Sequence, residues 1–369
     1  MADPRVEKLA DVLVNYSVAV QPGDKVAIQG QTGAEVLLRE VYARVLQAGG
    51  HPFVLVSLPG MDEVFYRYAS QEQLEHVPEP AKLLAETYDA RIGVGAAENT
   101  RALSDVDPQK IVTQRRAQTE LMKTFMQRSA AGEFRWVGTL FPTNAYAQDA
   151  EMSLSDYEDF VFGACLVDQD DPVGAWRTFS GWQQNIVDWL KGRERVHLVA
   201  PGTDLRLSVA ERVFVNSDGH HNMPSGEVYT GPVEDSVEGH VYFSFPAIIQ
   251  GREVTGVRLW FERGRVVKAT AEKNEDFLLK TLDTDEGSRS VGEFAIGTNT
   301  GITQFTRQIL FDEKIGGTVH LALGAGYPET GSKNESSIHW DMICDLRDGG
   351  EITVDDRLIF QNGKFLLKF

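Results

Sequence analysis

His339 and Asp341 stand two residues apart in the stretch SSIHWDMICDL. The apolar residues Ile338, Trp340, Met342, Ile343 and Cys344 around them, with no Pro, Gly or helical period, predict a strand. Side chains two apart on a strand share a face, so the imidazole and carboxylate can converge while Ile338, Trp340 and Met342 pack on the other side. Alone, such a pair is more often structural than ligating. Three further residues change that balance. Glu227 lies in HNMPSGEVYTGP, where Pro224, Gly226, Gly231 and Pro232 constrain the backbone that presents it. Glu293 lies in VGEFAIGTN, on a short apolar strand where its carboxylate would be partly buried, and His320 sits between apolar neighbours in GTVHLALG. A buried carboxylate is costly unless paired, protonated or bound to a cation. Two imidazoles and three carboxylates, without cysteine, make the donor set of two hard-to-borderline divalent cations. Such ions, about 3.5 to 4 Å apart, acidify a water and clamp a substrate carbonyl. The chemistry expected is metal-assisted hydrolysis.

Between His320 and His339 runs LALGAGYPETGSKNESSI, read as a flexible rim carrying Tyr327, whose hydroxyl could stabilise a tetrahedral oxyanion. It lacks the Gly-Lys-Ser/Thr end of a phosphate loop, and GVGAA at residues 93–97 fails the full dinucleotide pattern. No GxSxG elbow and no HExxH are present. His51, His76, His197 and His240 have no acidic partner at useful spacing and are expected to be structural, and His220 and His221 read as exposed loop residues.

The elements that must position these groups change character along the chain. Residues 5–18 have helical spacing, and PGDKVAIQG marks a turn into a buried strand. A helix in GAEVLLREVYARVLQAGG, a strand in PFVLVSL, a helix around EPAKLLAETYD, a strand in ARIGVG, one long helix around TQRRAQTELMKTFMQRSAA and a strand in FRWVGTLFP follow. This alternation implies a mainly parallel sheet. Residues 146–190 read as helical, with Asp171-Pro172 as a start signal. Past Gly192 the chain turns β-rich and ends in a hairpin with an Asn362-Gly363 turn. The fold class expected is an N-terminal α/β domain with a mainly parallel sheet over residues 1–191, and a β-rich α+β catalytic domain that binds the metal over residues 192–369.

The 369 residues suit two domains, and 42% apolar with 24% charged residues is the composition of a folded protein. The net charge of −18 opposes sequence-independent nucleic-acid binding and suits cationic groups such as a peptide amino terminus. Cys165 and Cys344 form no CxxC, so neither a disulfide framework nor a thiolate metal site is expected. MADPRVEKLADVLVNYS lacks a basic segment followed by an apolar core, and no run reaches the roughly 18 apolar residues of a membrane span. A cytoplasmic protein is expected.

Taken in order, NMPSGEVYTGP, GEFAIGTN, VHLALGAGY and SSIHWDM resemble the signature blocks of the thermophilic metallo-aminopeptidase family, the aminopeptidase T and aminopeptidase S group. KLADVLVNYSVAVQPGDKVAIQG and LFPTNAYAQDAEMSLSDYEDF extend the likeness over most of the chain. The resemblance implies a homodimer with a dinuclear site in its C-terminal domain. It implies Glu227, Glu293, His320, His339 and Asp341 as metal ligands, Glu293 as the bridging carboxylate and Tyr327 as an active-site tyrosine. Two zinc, cobalt or manganese ions and a peptide substrate are the corresponding expectations, with Glu293 or Glu227 moving the proton to the leaving amine. The loop from Tyr327 to His339 is shorter than the family's. Relatives of this fold include an iron ring-cleaving dioxygenase acting on dihydroxypyridine, whose two-histidine, one-carboxylate logic His320, His339 and Asp341 could supply alone. Both glutamates favour hydrolysis over that alternative.

Overall fold

The computed structural model describes residues 3–249 and 251–367. It comprises two compact units: Met1–Trp176 with Gly219–Pro224, and Arg177–Asp218 with Ser225–Phe369. The division falls inside the helix Pro172–Leu190, whereas the change of sequence pattern places it at the end of that helix, near residue 191.

In the first unit a five-stranded parallel sheet runs in the order His51–Ser57, Lys25–Gln31, Ala90–Gly95, Arg135–Leu140, Asn222–Met223. Its second strand, Lys25–Gln31, buries Val26, Ala27 and Ile28 completely, as expected for a strand covered on both faces. The opening helix, Pro4–Asp11, starts on Asp3, whose carboxylate accepts from the Arg5 amide at 2.9 Å, and continues as a wider π turn over Val12–Ser17. The single long helix expected around residues 113–131 is instead two, Pro108–Ala117 and Thr119–Ala130. They break at Gln118, where ψ rises to 0°, and neither buries a residue that would hold one continuous helix against the sheet.

The second unit has two larger antiparallel sheets. Eight strands, from Arg265–Thr270 at one edge to Lys364–Phe365 at the other, form the first. The second has five, in the order His339–Asp345, Thr318–Gly324, Val291–Gly297, Glu227–Thr230, Val215–Ser217. Leu198, Leu205, Leu259 and Phe261 of the first share one core with Phe294, Ile296, Leu321, Trp340 and Met342 of the second. Each such side chain contributes about 1.5 to 3 kcal/mol by leaving water. The terminal hairpin turns at Asn362 and Gly363, both at positive φ. Among the described residues no helix is long and apolar enough to cross a membrane.

Candidate metal centre

Period-two alternation in the five-stranded sheet sends Phe294, Ile296, Val319, Leu321, Trp340 and Met342 into the core. The residues between them face the other way. Register then aligns these: Gly297 opposes Glu227, Ala295 opposes His320, and Glu293 opposes Ala322, which in turn opposes Asp341, while Gly324 opposes His339. All five expected ligands therefore share one face. The positions between them are Ala295, Gly297, Ala322 and Gly324, so no large side chain fills the space over which the ligands reach. Glu227 opens a strand rather than sitting within the turn, and Glu293 is 4% exposed on a strand buried throughout, deeper than the partial burial its sequence suggests.

His320 Nε2 lies 3.4 Å from Glu227 Oε2 and 3.7 Å from Glu293 Oε1. His339 Nε2 lies 3.2 Å from Glu293 Oε2 and 3.4 Å from Asp341 Oδ1. One carboxylate, Glu293, thus spans both imidazoles with its two oxygens. Glu227, Glu293 and His320 form one group whose donor atoms lie within 4.8 Å of one another, and Glu293, His339 and Asp341 form a second. Each imidazole is oriented by its other nitrogen: His320 Nδ1 donates to the Glu313 carbonyl and His339 Nδ1 to the Ala325 carbonyl, both at 2.8 Å. A carbonyl only accepts, so Nδ1 carries the proton and Nε2 of the neutral ring offers an electron pair to the site. A Cβ on Gly292 would come within 2.4 Å of the Ala325 oxygen, so the bulge at this glycine lets that carbonyl reach its place.

The electrostatics favour cations. Burial opposes charge on His320, but Glu293, Glu227 and Asp341 raise its pKa to about 10. Burial is likewise outweighed at His339, where Asp341 and Glu293 raise it to about 12. The same imidazoles overcome burial to hold Asp341 down to about 2 and Glu293 below its usual value, whereas burial prevails at Glu227 and raises it. A divalent ion competes with these protons for the same atoms. The donor set fits such ions on a direct observation: Glu227 Oε2 and Asp341 Oδ1 are buried without a hydrogen-bond partner, and both point into the cluster.

Tyr327 lies at the open side, 37% exposed, its ring 5.2 Å from that of His339 and 5.5 Å from that of Tyr229. Burial of its hydroxyl and the carboxylates of Glu293 and Asp341 raise its pKa, so it remains a protonated donor. The segment carrying it is not the free rim expected from its glycines. Asn334 Nδ2 donates to the Gly287 and Gly324 carbonyls at 2.9 and 2.6 Å, and the Ala325 amide donates to Ile338 O at 2.8 Å.

Asp285 fixes the end of this segment. Its Oδ1 accepts from the Ser288 amide, Ser288 Oγ and Ser336 Oγ, and its Oδ2 from the Ser337 amide and Ser337 Oγ, at 2.7 to 3.0 Å. These donors outweigh partial burial and hold its carboxyl well below the usual range. A depressed folded pKa stabilises above the unfolded value near 4 and loses that contribution as pH falls through the folded pKa. Asp285→Ala is therefore expected to cost about 1 to 3 kcal/mol. In thermal melts its Tm deficit against wild type should hold constant from pH 8 to about 5 and narrow below about pH 4.

Two residues of the site escape sequence reasoning. Lys314 is fully buried, in contact with Glu313 and with its Nζ 3.7 Å from Glu227 Oε1, and Glu313, His320 and Asp341 form a third donor group. Burial pushes Glu313 up to about 8, while Glu227 and Glu313 overcome burial to raise Lys314 to about 12. Their only signal is a run of three charged residues, Asp312, Glu313 and Lys314, between Phe311 and Ile315 in FDEKIGG, which equally describes a surface turn. His220 and His221 are exposed, as expected. His197 is not without an acid: its Nε2 lies 2.9 Å from Asp204 Oδ1 across a hairpin, a pairing that sequence spacing conceals.

Comparison with known proteins places the chain among relatives of the same fold. Aminopeptidase 2 of Geobacillus stearothermophilus is 28% identical over 98% of both chains. Aminopeptidase T of Thermus thermophilus is 27% identical over 92% of this chain and 91% of its own. The solved structure of wild-type AmpT from Thermus thermophilus superposes with a TM-score of 0.85 at 24% identity, covering 98% of this chain and 99% of the other, and shows the same fold. A 2,5-dihydroxypyridine dioxygenase from Pseudomonas putida KT2440 shares the fold more distantly, with a TM-score of 0.60 at 12% identity over 100% of this chain and 99% of the other. The family model described as thermophilic metalloprotease (M29) matches residues 2–365, and the chain belongs to that family.

Proposed function

We propose that this metalloprotease is an aminopeptidase that removes N-terminal residues from peptides, with two divalent ions held by Glu227, Glu293, His320, His339 and Asp341. The observation that carries the proposal is the sharing of Glu293 between two donor groups, one completed by Glu227 and His320 and the other by His339 and Asp341. Glu293 would then be available to both ions, with Glu227 and His320 holding one and His339 and Asp341 the other. Relatives named aminopeptidases, aligned along nearly the whole chain, support the substrate class. Zinc, cobalt and manganese all suit a nitrogen and oxygen donor set.

Bound in such a site, divalent ions supply Lewis acidity, acidifying water and drawing charge from a carbonyl oxygen. The chain's own residues do the rest. Glu293 or Glu227 takes a proton and passes it to the leaving amine. Tyr327 donates its hydroxyl hydrogen to the developing oxyanion, a role its raised pKa preserves at neutral pH. A net charge of −18 favours a substrate with a free ammonium group.

The two-histidine, one-carboxylate alternative leaves the buried Glu227 and Glu293 without a purpose, so a ring-cleaving reaction is the weaker reading. A homodimer belongs to the same proposal on the strength of the resemblance. Amino-acid p-nitroanilides and their N-acetylated counterparts test the substrate class. The purified chain with added metal should hydrolyse the free-amine compounds at least about tenfold faster, the equivalent of ~1.4 kcal/mol. Equal turnover of the acetylated compounds would remove the aminopeptidase assignment.

A further inference from the structure

Tyr229 follows Glu227 by two residues on the strand Glu227–Thr230, so its half-buried ring stands on the ligand face of the sheet and not in the core. The Tyr327 ring packs edge-on against it at 5.5 Å and lies 5.2 Å from the His339 ring, which joins the three side chains along the open side of the site. A phenol can donate to a carboxylate, and the Tyr229 hydroxyl does so to Glu329 Oε1 at 3.4 Å. Glu329 is exposed, belongs to none of the three donor groups and has no cationic partner among the described residues. A carboxylate at the mouth of the site that is neither paired nor used as a ligand is available to a positive charge on the substrate. We propose that Glu329, oriented by Tyr229, receives the ammonium group of the substrate's N-terminal residue.

The backbone holds this carboxylate in place. Glu329 lies in the turn Pro328–Thr330, and Thr330 closes that turn by donating its amide at 3.0 Å and its hydroxyl at 2.6 Å to the Tyr327 carbonyl. Thr330 is fully buried, and its own carbonyl accepts from the Val213 amide at 3.0 Å, which ties the turn to the chain entering the edge strand Val215–Ser217. Tyr327, the oxyanion donor, and Glu329 are therefore two residues apart on one fixed turn. In a peptide the α-ammonium is separated from the scissile carbonyl carbon by a single atom, so the groups that serve the two must be neighbours. Glu227, Glu293 and Asp341 are engaged by the ions, which leaves Glu329 as the carboxylate for this task. Tyr229 is a positioning residue, since without its hydroxyl the Glu329 side chain is left to rotate.

The inference rests on the aminopeptidase reading above, and the preference of wild type for free over acetylated amines separates the two. The full chain with added metal is assayed on leucine p-nitroanilide, whose only ammonium is the α one, and on lysine p-nitroanilide, which carries a second on its side chain. Glu329→Gln keeps the shape of an exposed side chain and is expected to raise KM by about five- to tenfold, with kcat within about twofold of wild type, the scale of one hydrogen-bonded ion pair open to solvent. Tyr229→Phe keeps the ring against Tyr327 and is expected to raise KM by about two- to threefold, again with kcat retained. Both variants should bind as much zinc as wild type, counted by mass spectrometry under native conditions. An equal rise for both substrates assigns the α-ammonium as the group received, and a rise confined to lysine p-nitroanilide assigns the side-chain ammonium. Unchanged KM on both substrates in Glu329→Gln, a fall in kcat at constant KM, or a loss of bound zinc overturns the role of Glu329 and leaves the aminopeptidase standing. A wild type that turns over acetylated compounds equally well overturns both.

Discussion

Glu293→Gln is expected to lower kcat on amino-acid p-nitroanilides by on the order of 10²- to 10⁴-fold, the range for removal of a proton-transferring group. The substitution keeps the shape of a side chain that is 4% exposed, so no cavity opens and the core behind it stays packed. What changes is donor chemistry. An amide cannot bind through two equivalent anionic oxygens, and these oxygens now lie 3.7 and 3.2 Å from His320 and His339 Nε2. The loss should therefore appear in kcat and in the number of ions retained, with a folded chain at 25 °C. If Glu293 served only to pair two buried histidines, the variant would lose stability and keep its turnover.

Chelation should have the second largest effect, abolishing hydrolysis and lowering Tm by several degrees. The folded chain holds the donors together, with Nδ1 of both histidines already committed to carbonyls, whereas the unfolded chain scatters them. A ligand that binds only the native state stabilises it by about 2.7 kcal/mol at a hundredfold excess over its dissociation constant, for each site. Removing the ions also leaves Glu227, Glu293 and Asp341 with only two imidazolium groups and Lys314 as counter-ions. Differential scanning calorimetry before and after chelation, and again after zinc is restored, measures the difference. An unchanged Tm would mean that no ion is bound to the folded state.

Much of this site is legible in the sequence because its polar residues break apolar strands. A histidine inside TVHLALG, or a glutamate inside VGEFAIG, has no solvent-facing reason to be there. Period two then predicts that His339 and Asp341 share a face, and that Trp340 turns to the core, where it is 1% exposed beside Phe277. The parallel sheet of the first half follows from alternating strands and helices for the same local reasons. Non-local pairing is what sequence patterns do not carry. The register that sets Gly297 opposite Glu227 joins segments far apart in the chain, as does the return of Asn222–Met223 to the first sheet beside Arg135–Leu140. Glu313 and Lys314 look like any charged turn until the fold buries them. The glycines between His320 and His339 suggest freedom, yet Asp285, distant in sequence, supplies the acceptors that remove it.

Metal content measured against activity tests the central claim. Chelated chain titrated with zinc, cobalt or manganese should recover hydrolysis of amino-acid p-nitroanilides up to two equivalents per chain, with Glu293→Gln reaching neither the count nor the rate. Purified chain holding about one iron, with no hydrolysis at any metal ratio, would contradict it.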